Sequence, residues 1–189
     1  MSNGQKPISF LYINLNTQKK QAVFQSAFSD FYKETHMEIE RKYLLKKIPE
    51  NLETYPHKEI EQGYLSTNPV VRIRRSNDKY ILTYKGSGMM VREEYNLPLT
   101  KESFEHMKPK ADGIFIEKTR YLIPYNDKLT IELDVFKGEL APLTLAEVEF
   151  ESEEEANTFC PPNWFGEDVT FSTEYHNSTL SQRKPNSKI

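Results

Sequence analysis

Charged side chains alternate with apolar ones along several stretches of this sequence. Residues two apart on a β-strand point to the same face, so each stretch would carry a row of charged groups on one side. Acidic rows stand near the start and the end of the pattern, and basic rows stand in its middle. The rows contain Glu38, Glu40 and Lys42; Arg72 and Arg74, with Lys85 on the next strand; Arg92 and Glu94; Lys118 and Arg120; Glu132 and Asp134; and Glu147 and Glu149.

These residue types predict a ligand that carries both signs of charge. Carboxylates bind hard divalent cations, and arginine suits bidentate contacts with phosphate. A nucleoside triphosphate or an inorganic polyphosphate with Mg²⁺ or Mn²⁺ would satisfy both kinds of row. The alternative is a solvated outer face, which is the usual meaning of alternating charge. The scarcity of uncharged polar residues in the rows and the segregation of the two signs favour the ligand site.

The elements that would position these rows are short strands separated by turn residues. We predict an α+β fold that is mainly antiparallel β: one sheet closed into an eight-stranded barrel, with flanking helices that cover outward apolar faces. Such a barrel is about wide enough for side chains and one small ligand. Thr100 and Ser152 are predicted caps of helices over 101–109 and 153–159. The predicted strands lie near 37–46, 58–66, 70–76, 79–86, 91–98, 114–124, 128–137 and 143–151.

Composition excludes several classes of protein. The 189 residues carry a net charge of −3, which disfavours a globally basic nucleic-acid binder. The sequence contains no run of about 18 apolar residues that would predict a transmembrane helix. The single cysteine, Cys160, excludes an internal disulfide, and we expect it to be buried. We therefore expect a cytoplasmic protein with a small-molecule partner and no requirement for nucleic acid or membrane. A homodimer is a candidate assembly that composition does not decide.

The chain divides into three parts by composition. Residues 37–180 contain the alternating rows and form the predicted domain, and 181–189 are a predicted flexible tail. Residues 1–36 are an N-terminal extension in which the spacing of Phe24, Phe28 and Phe31 is typical of an amphipathic helix over 18–35. The alternative is that translation begins at Met37 and that the extension is not native.

The motif Glu38-x-Glu40-x-Lys42 resembles the ExExK signature of the CYTH superfamily, the triphosphate tunnel metalloenzymes. The later pieces follow in the order of that family, and the resemblance covers about 37–180. It is greatest for the small single-domain bacterial members. The pieces are Arg72-x-Arg74, Leu82-Thr83-Tyr84-Lys85-Gly86, Arg92-Glu93-Glu94-Tyr95, Lys118-Thr119-Arg120-Tyr121, Glu132-Leu133-Asp134-Val135-Phe136 and Ala146-Glu147-Val148-Glu149-Phe150.

The resemblance implies a closed antiparallel eight-stranded tunnel that hydrolyses a triphosphate with Mg²⁺ or Mn²⁺. It implies catalytic roles for Glu38, Glu40, Lys42 and Glu149, and an orienting role for Glu94 among the cations. The implied metal ligands are Glu38, Glu40 and Glu149, with Glu132, Asp134 and Glu147 nearby. The implied phosphate-binding residues are Lys42, Arg72, Arg74, Lys85, Arg92, Lys118 and Arg120. His176 stands where similar proteins usually carry a lysine, in a helix that closes one mouth, and either contacts phosphate or only packs there.

Three functions remain open at this point. The first is hydrolysis of inorganic tripolyphosphate or of a nucleoside triphosphate. The second, within the same family, is a thiamine triphosphatase or a class IV-type adenylate cyclase. The third is a non-catalytic module that binds polyphosphate or a nucleotide, and the complete set of carboxylates argues against it.

Overall fold

The structure is a computed structural model that describes residues 36–183. Residues 1–35 and 184–189 lie outside the described residues, and with them lie the predicted helix over 18–35 and most of the predicted tail. No helix in the described part of the chain is long and apolar enough to span a membrane.

Eight antiparallel strands close into a barrel, as the sequence predicts. The strands follow the order β5-β4-β3-β2-β6-β7-β8-β1, and a pairing between β5 and β1 closes the ring. Each of the eight predicted strands is present, and the connections are short. The strands are β1 (His36–Leu45), β2 (His57–Thr67), β3 (Val70–Ser76), β4 (Lys79–Lys85), β5 (Val91–Leu99), β6 (Asp112–Pro124), β7 (Thr130–Phe136) and β8 (Thr144–Glu149).

A ninth strand, which the sequence analysis did not predict, pairs with the second half of β1. This strand, β9 (Phe165–Asp168), is antiparallel to β1 and places Asp168 opposite Tyr43. The side chain of Arg41 also forms an ion pair with Asp168. Strand β9 therefore covers the part of the β1 edge that does not pair with β5.

Residues 36–183 also contain three short helices: α1 (Lys101–Met107), α2 (Glu153–Thr158) and α3 (Asn177–Leu180). The predicted caps of the first two are confirmed, because Thr100 Oγ1 accepts a hydrogen bond from Ser103 N at 3.1 Å and Ser152 Oγ accepts one from Glu155 N at 3.2 Å. Four single 3₁₀ turns complete the described elements, at Leu52–Thr54, Lys108–Lys110, Gly138–Leu140 and Thr173–Tyr175.

The apolar side chains form two clusters. One cluster lies on the outward faces of β1, β7 and β8 and includes Tyr43, Leu133, Val148 and Ala156 of α2. The other includes Tyr64, Ile116, Phe136 and Leu145, which lie on the same strand faces as the charged rows, together with Leu180 of α3. This second cluster fills part of the barrel interior with apolar side chains, so the charged cavity occupies the remainder.

The packed domain extends beyond the boundary at residue 180 that the sequence predicts. Ser181 is fully buried, and its carbonyl oxygen accepts a hydrogen bond from Ile114 N at 2.8 Å. Gly113 has a φ of +70°, and a Cβ at this position would lie 2.1 Å from the Ser181 carbonyl oxygen. A glycine is therefore needed for this close approach, which attaches the end of α3 to β6.

Candidate active site

The charged rows line one cavity inside the barrel, with a volume of about 190 Å³. The alternative of a solvated outer face is therefore wrong. Eight basic side chains and six carboxylates contribute to the lining, which leaves an excess of two positive charges. The basic residues are Lys42, Lys58, Arg72, Arg74, Lys85, Arg92, Lys118 and Arg120, and the acidic residues are Glu38, Glu40, Glu94, Glu132, Glu147 and Glu149.

One ion-pair network joins β1 to β4 and β5. Lys85 Nζ donates to the two carboxylate oxygens of Glu38 at 2.7 and 2.5 Å, and Arg92 Nε donates to Glu38 at 2.9 Å. Arg92 also reaches Glu40 at 3.3 Å, and Lys85 reaches Glu94 at 2.6 Å. Burial opposes ionisation of Glu94, but the charges of Lys85 and Arg72, together with hydrogen bonds from Lys85 and Asn96, outweigh it and lower the pKa of Glu94 to about 2.

A second network joins β1, β6, β7 and β8. Lys42 Nζ lies 2.8 Å from Glu147, its Cα partner across the β1–β8 ladder. Burial alone would lower the pKa of Lys42, but Glu147 and Glu40 outweigh it, so the pKa is raised and the ammonium is held charged. Arg120 contacts the carboxylates of Glu132 and Glu147. Glu147 therefore links Lys42 to Arg120.

Asp134 lies beneath this network and does not line the cavity, in contrast to its expected place among the metal ligands. It is fully buried. Its oxygens accept hydrogen bonds from Lys118 Nζ at 2.5 Å and from Arg120 at 2.7 and 2.6 Å. Lys118 and Arg120 therefore line the cavity, whereas the Asp134 carboxylate lies behind them and holds both cations in place.

Arg72 and Arg74 differ from the other basic groups on the barrel wall. Within residues 36–183 neither guanidinium forms an ion pair with a carboxylate, and the Nε atom of each is buried without a hydrogen-bond partner. Arg72 donates only to neutral groups, such as Thr83 Oγ1 at 3.2 Å. The charge of Arg72, followed by burial, lowers the pKa of Arg74 to about 10. Glu94 and Glu132 offset this lowering only in part. Two adjacent positive charges with no carboxylate at ion-pair distance suit an anion.

Glu149 is the corresponding carboxylate without a basic partner among the described residues. Its pKa is raised by burial and then by the negative charges of Glu38, Glu132 and Glu40. Glu149 and Glu40 are also Cα partners across the β1–β8 ladder. A divalent cation would relieve this repulsion, and carboxylate oxygens are the ligands that Mg²⁺ and Mn²⁺ prefer.

The carboxylates suit a hard cation in chemistry, but they are not gathered around a common point. Among the described residues no three acidic or histidine side chains converge as a preformed metal-binding group. The reason is visible at Glu38, whose oxygens are occupied by Lys85 and Arg92. A metal ion would have to compete with these ion pairs for the carboxylates.

His176 lines the cavity beside Asn177 and Ser178. It immediately precedes α3 as its N-cap residue rather than lying within the helix. The imidazole is half-buried, and its pKa is lowered by burial and then by the positive charges of Lys42 and Arg92. The ring therefore belongs to the basic part of the cavity, where the resemblance places a lysine.

Comparison with known proteins agrees with the barrel and its charged lumen. A family model described as the CYTH domain matches residues 36–184. The chain belongs to the CYTH domain family. The match begins at the residue where β1 begins, so it covers every strand of the barrel and all the charged rows described above.

Two bacterial relatives in this family are named inorganic triphosphatase. The chain is 41% identical to the protein from Nitrosomonas europaea over 152 residues, which cover 78% of this chain and 99% of the relative. It is 36% identical to the protein from Acetivibrio thermocellus over 124 residues, which cover 63% of this chain and 77% of the relative. A crystal structure of an inorganic triphosphatase matches with a TM-score of 0.60 and 38% identity, over 78% of this chain and 96% of the other.

Several lining residues of this CYTH domain were missed by the sequence analysis. One face of β2 carries Lys58, Gln62 and Tyr64. Their alternation with outward-facing residues was the only sequence pattern that could have indicated a lumen row. It was weak because only one member of the row is charged. Ser76, Asn177 and Ser178 also line the cavity. Outside the cavity, Cys160 is exposed, so the prediction that it is buried is wrong.

Proposed function

We propose that this CYTH domain is a divalent-metal-dependent triphosphatase that hydrolyses inorganic tripolyphosphate inside the barrel. The observation that carries the proposal is the pair Arg72 and Arg74, which face the lumen without a counter-ion, in the same cavity as the unpaired carboxylate Glu149. A linear polyanion with a bound cation neutralises both. The names of the two bacterial relatives support this choice of substrate.

Arg72 and Arg74 would be the first groups to bind the phosphates, because no carboxylate has to be displaced from them. Lys42, Lys85 and Arg92 are paired with carboxylates, and a triphosphate would compete for them with its own oxygens. Lys118 and Arg120 would contact phosphate from positions that Asp134 maintains. His176 would add a further contact when protonated. Such a set of fixed cations stabilises the charge that shifts between phosphate oxygens in the transition state.

Glu38, Glu40 and Glu149 would hold the metal, with Glu132 and Glu147 close by. A divalent cation bound there supplies charge neutralisation at the phosphate oxygens and lowers the pKa of a water molecule. When Lys85 and Arg92 turn to the phosphates, the oxygens of Glu38 become available. Phosphate binding by the basic residues and metal binding by Glu38 therefore favour each other.

Hydrolysis at this site needs no covalent intermediate. The residues hold the triphosphate in one orientation, and a water oxygen attacks the terminal phosphorus in line with the leaving diphosphate oxygen. The products of tripolyphosphate are orthophosphate and pyrophosphate. The described lining contains no cysteine, because Cys160 is exposed elsewhere on the protein. In the same lining, Ser178 forms no side-chain hydrogen bond with His176, so this serine is not activated as a nucleophile.

The size and lining of the cavity favour a compact inorganic substrate over a nucleotide or thiamine triphosphate. Its volume of about 190 Å³ is below the roughly 300–1,000 Å³ of pockets that bind drug-sized organic ligands. Of the lining residues in the described chain, only Ile60 and Val70 are aliphatic, and only Tyr64 and His176 carry aromatic rings. The cavity therefore offers little apolar surface for a base or a thiazolium ring, compared with its fourteen charged side chains.

The test is release of phosphate from tripolyphosphate, ATP and thiamine triphosphate, each with Mg²⁺, with Mn²⁺ and with excess chelator. We expect the highest kcat/KM for tripolyphosphate with a metal and no turnover in chelator. Preferred hydrolysis of ATP or thiamine triphosphate would replace the proposed substrate. Formation of cyclic AMP from ATP would indicate a cyclase, and tight binding of tripolyphosphate without phosphate release would indicate a non-catalytic module.

A further inference from the structure

Lys58 is a third lumen cation that lacks a carboxylate partner. It lies at the start of β2, is half-buried, and lines the cavity. Five other basic side chains of the lining form ion pairs with carboxylates: Lys42, Lys85, Arg92, Lys118 and Arg120. Within residues 36–183 neither an ion pair nor a side-chain hydrogen bond involves Lys58. Its ammonium group is therefore available to a ligand.

The three cations without carboxylate partners lie on one wall of the barrel. Arg72 and Arg74 are on β3, and Lys58 is on the neighbouring strand β2. The β2–β3 register places Arg72 opposite Tyr64 and Arg74 opposite Gln62. This wall is the part of the lumen where positive charge is least neutralised by the protein, so it is where a polyanion would run.

Lys58 lies beyond the arginine pair along this wall. It precedes Gln62, the partner of Arg74, by four residues, which is about 13 Å along a strand. Ser76 lies between the two levels, opposite Ile60, and also lines the cavity. The wall therefore continues with a hydroxyl and an ammonium group past the point where the arginines end.

The groups around Lys58 do not neutralise it. Its Cα partner on β6 is Arg120, whose guanidinium is occupied by Asp134, Glu132 and Glu147. Lys58 thus adds positive charge at an end of the cavity where the neighbouring cation is already paired.

We propose that Lys58 forms an additional phosphate subsite, with the Ser76 hydroxyl beside it, and that it lets the barrel bind linear polyphosphates of more than three units. The proposal rests on the proposed function, since it takes the arginine pair as the place where the first phosphates bind. A triphosphate held by Arg72 and Arg74 would end before Lys58, whereas a longer chain would reach it. Lys58 is then a specificity-determining residue for chain length.

The experiment compares tripolyphosphate with tetrapolyphosphate in the full-length protein. Dissociation constants are measured by calorimetry in excess chelator, so that no turnover occurs, and KM is measured separately with Mg²⁺. We expect Lys58→Met to weaken tetrapolyphosphate binding about tenfold, the loss of one charge-assisted contact, and to change tripolyphosphate binding less than about twofold. Lys58→Arg should restore the affinity for tetrapolyphosphate. Lys47→Met, at an exposed lysine outside the barrel, controls for the loss of one positive charge.

The outcomes separate this subsite from the proposed activity. Equal weakening of both ligands by Lys58→Met, or an unchanged affinity for tetrapolyphosphate, would overturn the subsite even if tripolyphosphate is hydrolysed. A Lys58-dependent preference for tetrapolyphosphate without release of phosphate from tripolyphosphate would support the subsite and overturn the hydrolytic function. Unfolding midpoints of all variants are compared with the wild type, so that a folding defect is not mistaken for a lost contact.

Discussion

Arg72 and Arg74 lie two residues apart on one face of β3, and the positive charge of Arg72 is the largest cause that lowers the pKa of Arg74 to about 10. In the described part of the chain no carboxylate is paired with either guanidinium, although the barrel interior contains many. The free protein therefore contains a local repulsion that an anionic ligand relieves. This pair is therefore the centre of the proposed phosphate site.

Replacing Arg74 should separate ligand binding from stability. We expect Arg74→Met to raise KM for tripolyphosphate by at least about tenfold, because one charged hydrogen-bonding group to phosphate is lost. The unfolding midpoint without ligand should not fall, since the repulsion from Arg72 disappears. A ligand at a hundred times its Kd stabilises the folded state by about 2.7 kcal/mol, and the variant should lose most of this effect at the same concentration. Thermal unfolding with and without tripolyphosphate in chelator measures both quantities.

Arg75→Met is the matched control for this prediction. Arg75 is the next residue along β3 and forms an ion pair on the outer face with Glu61 at 3.3 Å. Its replacement removes the same charge from the chain without touching the cavity. Equal loss of ligand stabilisation in both variants would show that the effect is one of net charge, and would remove Arg74 from the site.

Glu40 tests the metal site. We expect Glu40→Gln to lower kcat at least tenfold to a hundredfold, roughly the scale of defects in the surroundings of a metal. Direct titration of Mn²⁺ in the presence of tripolyphosphate should show weaker metal binding by the variant. Glu93→Gln is the control, because Glu93 is exposed on β5 beside the lumen residues Arg92 and Glu94. Full activity of Glu40→Gln, or wild-type activity in excess chelator, would exclude the metal role of Glu40.

His176 should make both stability and substrate affinity depend on pH. Its folded-state pKa is lowered by burial and by Lys42 and Arg92, so the unfolded chain binds the proton more tightly. This contribution to stability is present above the unfolded-state pKa near 6.5 and is lost as pH falls through it towards the folded-state pKa. A bound triphosphate favours the protonated ring, so KM for tripolyphosphate should rise as pH increases through this same range.

The variants His176→Lys and His176→Asn separate the two effects. A lysine keeps its charge to about pH 10, so His176→Lys should flatten the pH dependence of KM between pH 5 and 7.5. His176→Asn cannot be protonated and should flatten the pH dependence of stability. His57→Asn is the control, since His57 is exposed on the outside of β2. If KM follows the same pH profile in the wild type and in His176→Lys, His176 only packs at the cavity.

Asp134 should be a stabilising and positioning residue rather than a metal ligand. Asp134→Asn leaves Lys118 and part of Arg120 without a buried counter-charge, and breaking such a buried pair typically costs about 3–5 kcal/mol. Chemical denaturation of the variant should show a decrease in unfolding free energy of this order, with Asp127→Asn in an exposed turn as the control. A variant of normal stability that binds Mn²⁺ more weakly would restore Asp134 to the metal site.

The barrel should not need the first 36 residues for activity. A chain that begins at Met37 lacks only His36 of the strands and keeps every lining residue, since Glu38 is the first of them. The domain is one compact unit from Met37 onward. We expect kcat and KM for tripolyphosphate within about twofold of the full-length protein, which is within the scatter expected for changes far from a site. Loss of folding or activity would show that the N-terminal segment is a structural part of the domain.

Part of the fold and of the site could be read from local patterns. The strands β1 to β8 were predicted because alternation of charged and apolar residues follows from the opposite directions of successive side chains on a strand. The same alternation placed Glu38, Arg72, Lys118 and Glu147 on one side. In contrast, β9 has four residues and no such pattern, and its pairing with β1 depends on residues more than a hundred positions away.

Lys58 shows where the local pattern fails even within a strand. Its neighbours on the same face, Ile60, Gln62 and Tyr64, are uncharged, so the row does not look like a lumen row. For Cys160 the error is the reverse. A free cysteine is typically buried, so we expected burial, but the position of its loop exposes it.

The sequence by itself determined which side chains share a strand face and, through the order of its motifs, the family to which the chain belongs. Only the tertiary structure decided which charges are paired. Ion pairs form between Glu38 and Lys85, between Lys42 and Glu147, and between Asp134 and Arg120. In the described chain no carboxylate forms an ion pair with Arg72, Arg74 or Lys58. The direction of a side chain follows from the covalent geometry of its own strand. Its partner depends on the register and closure of eight strands, which long-range packing sets.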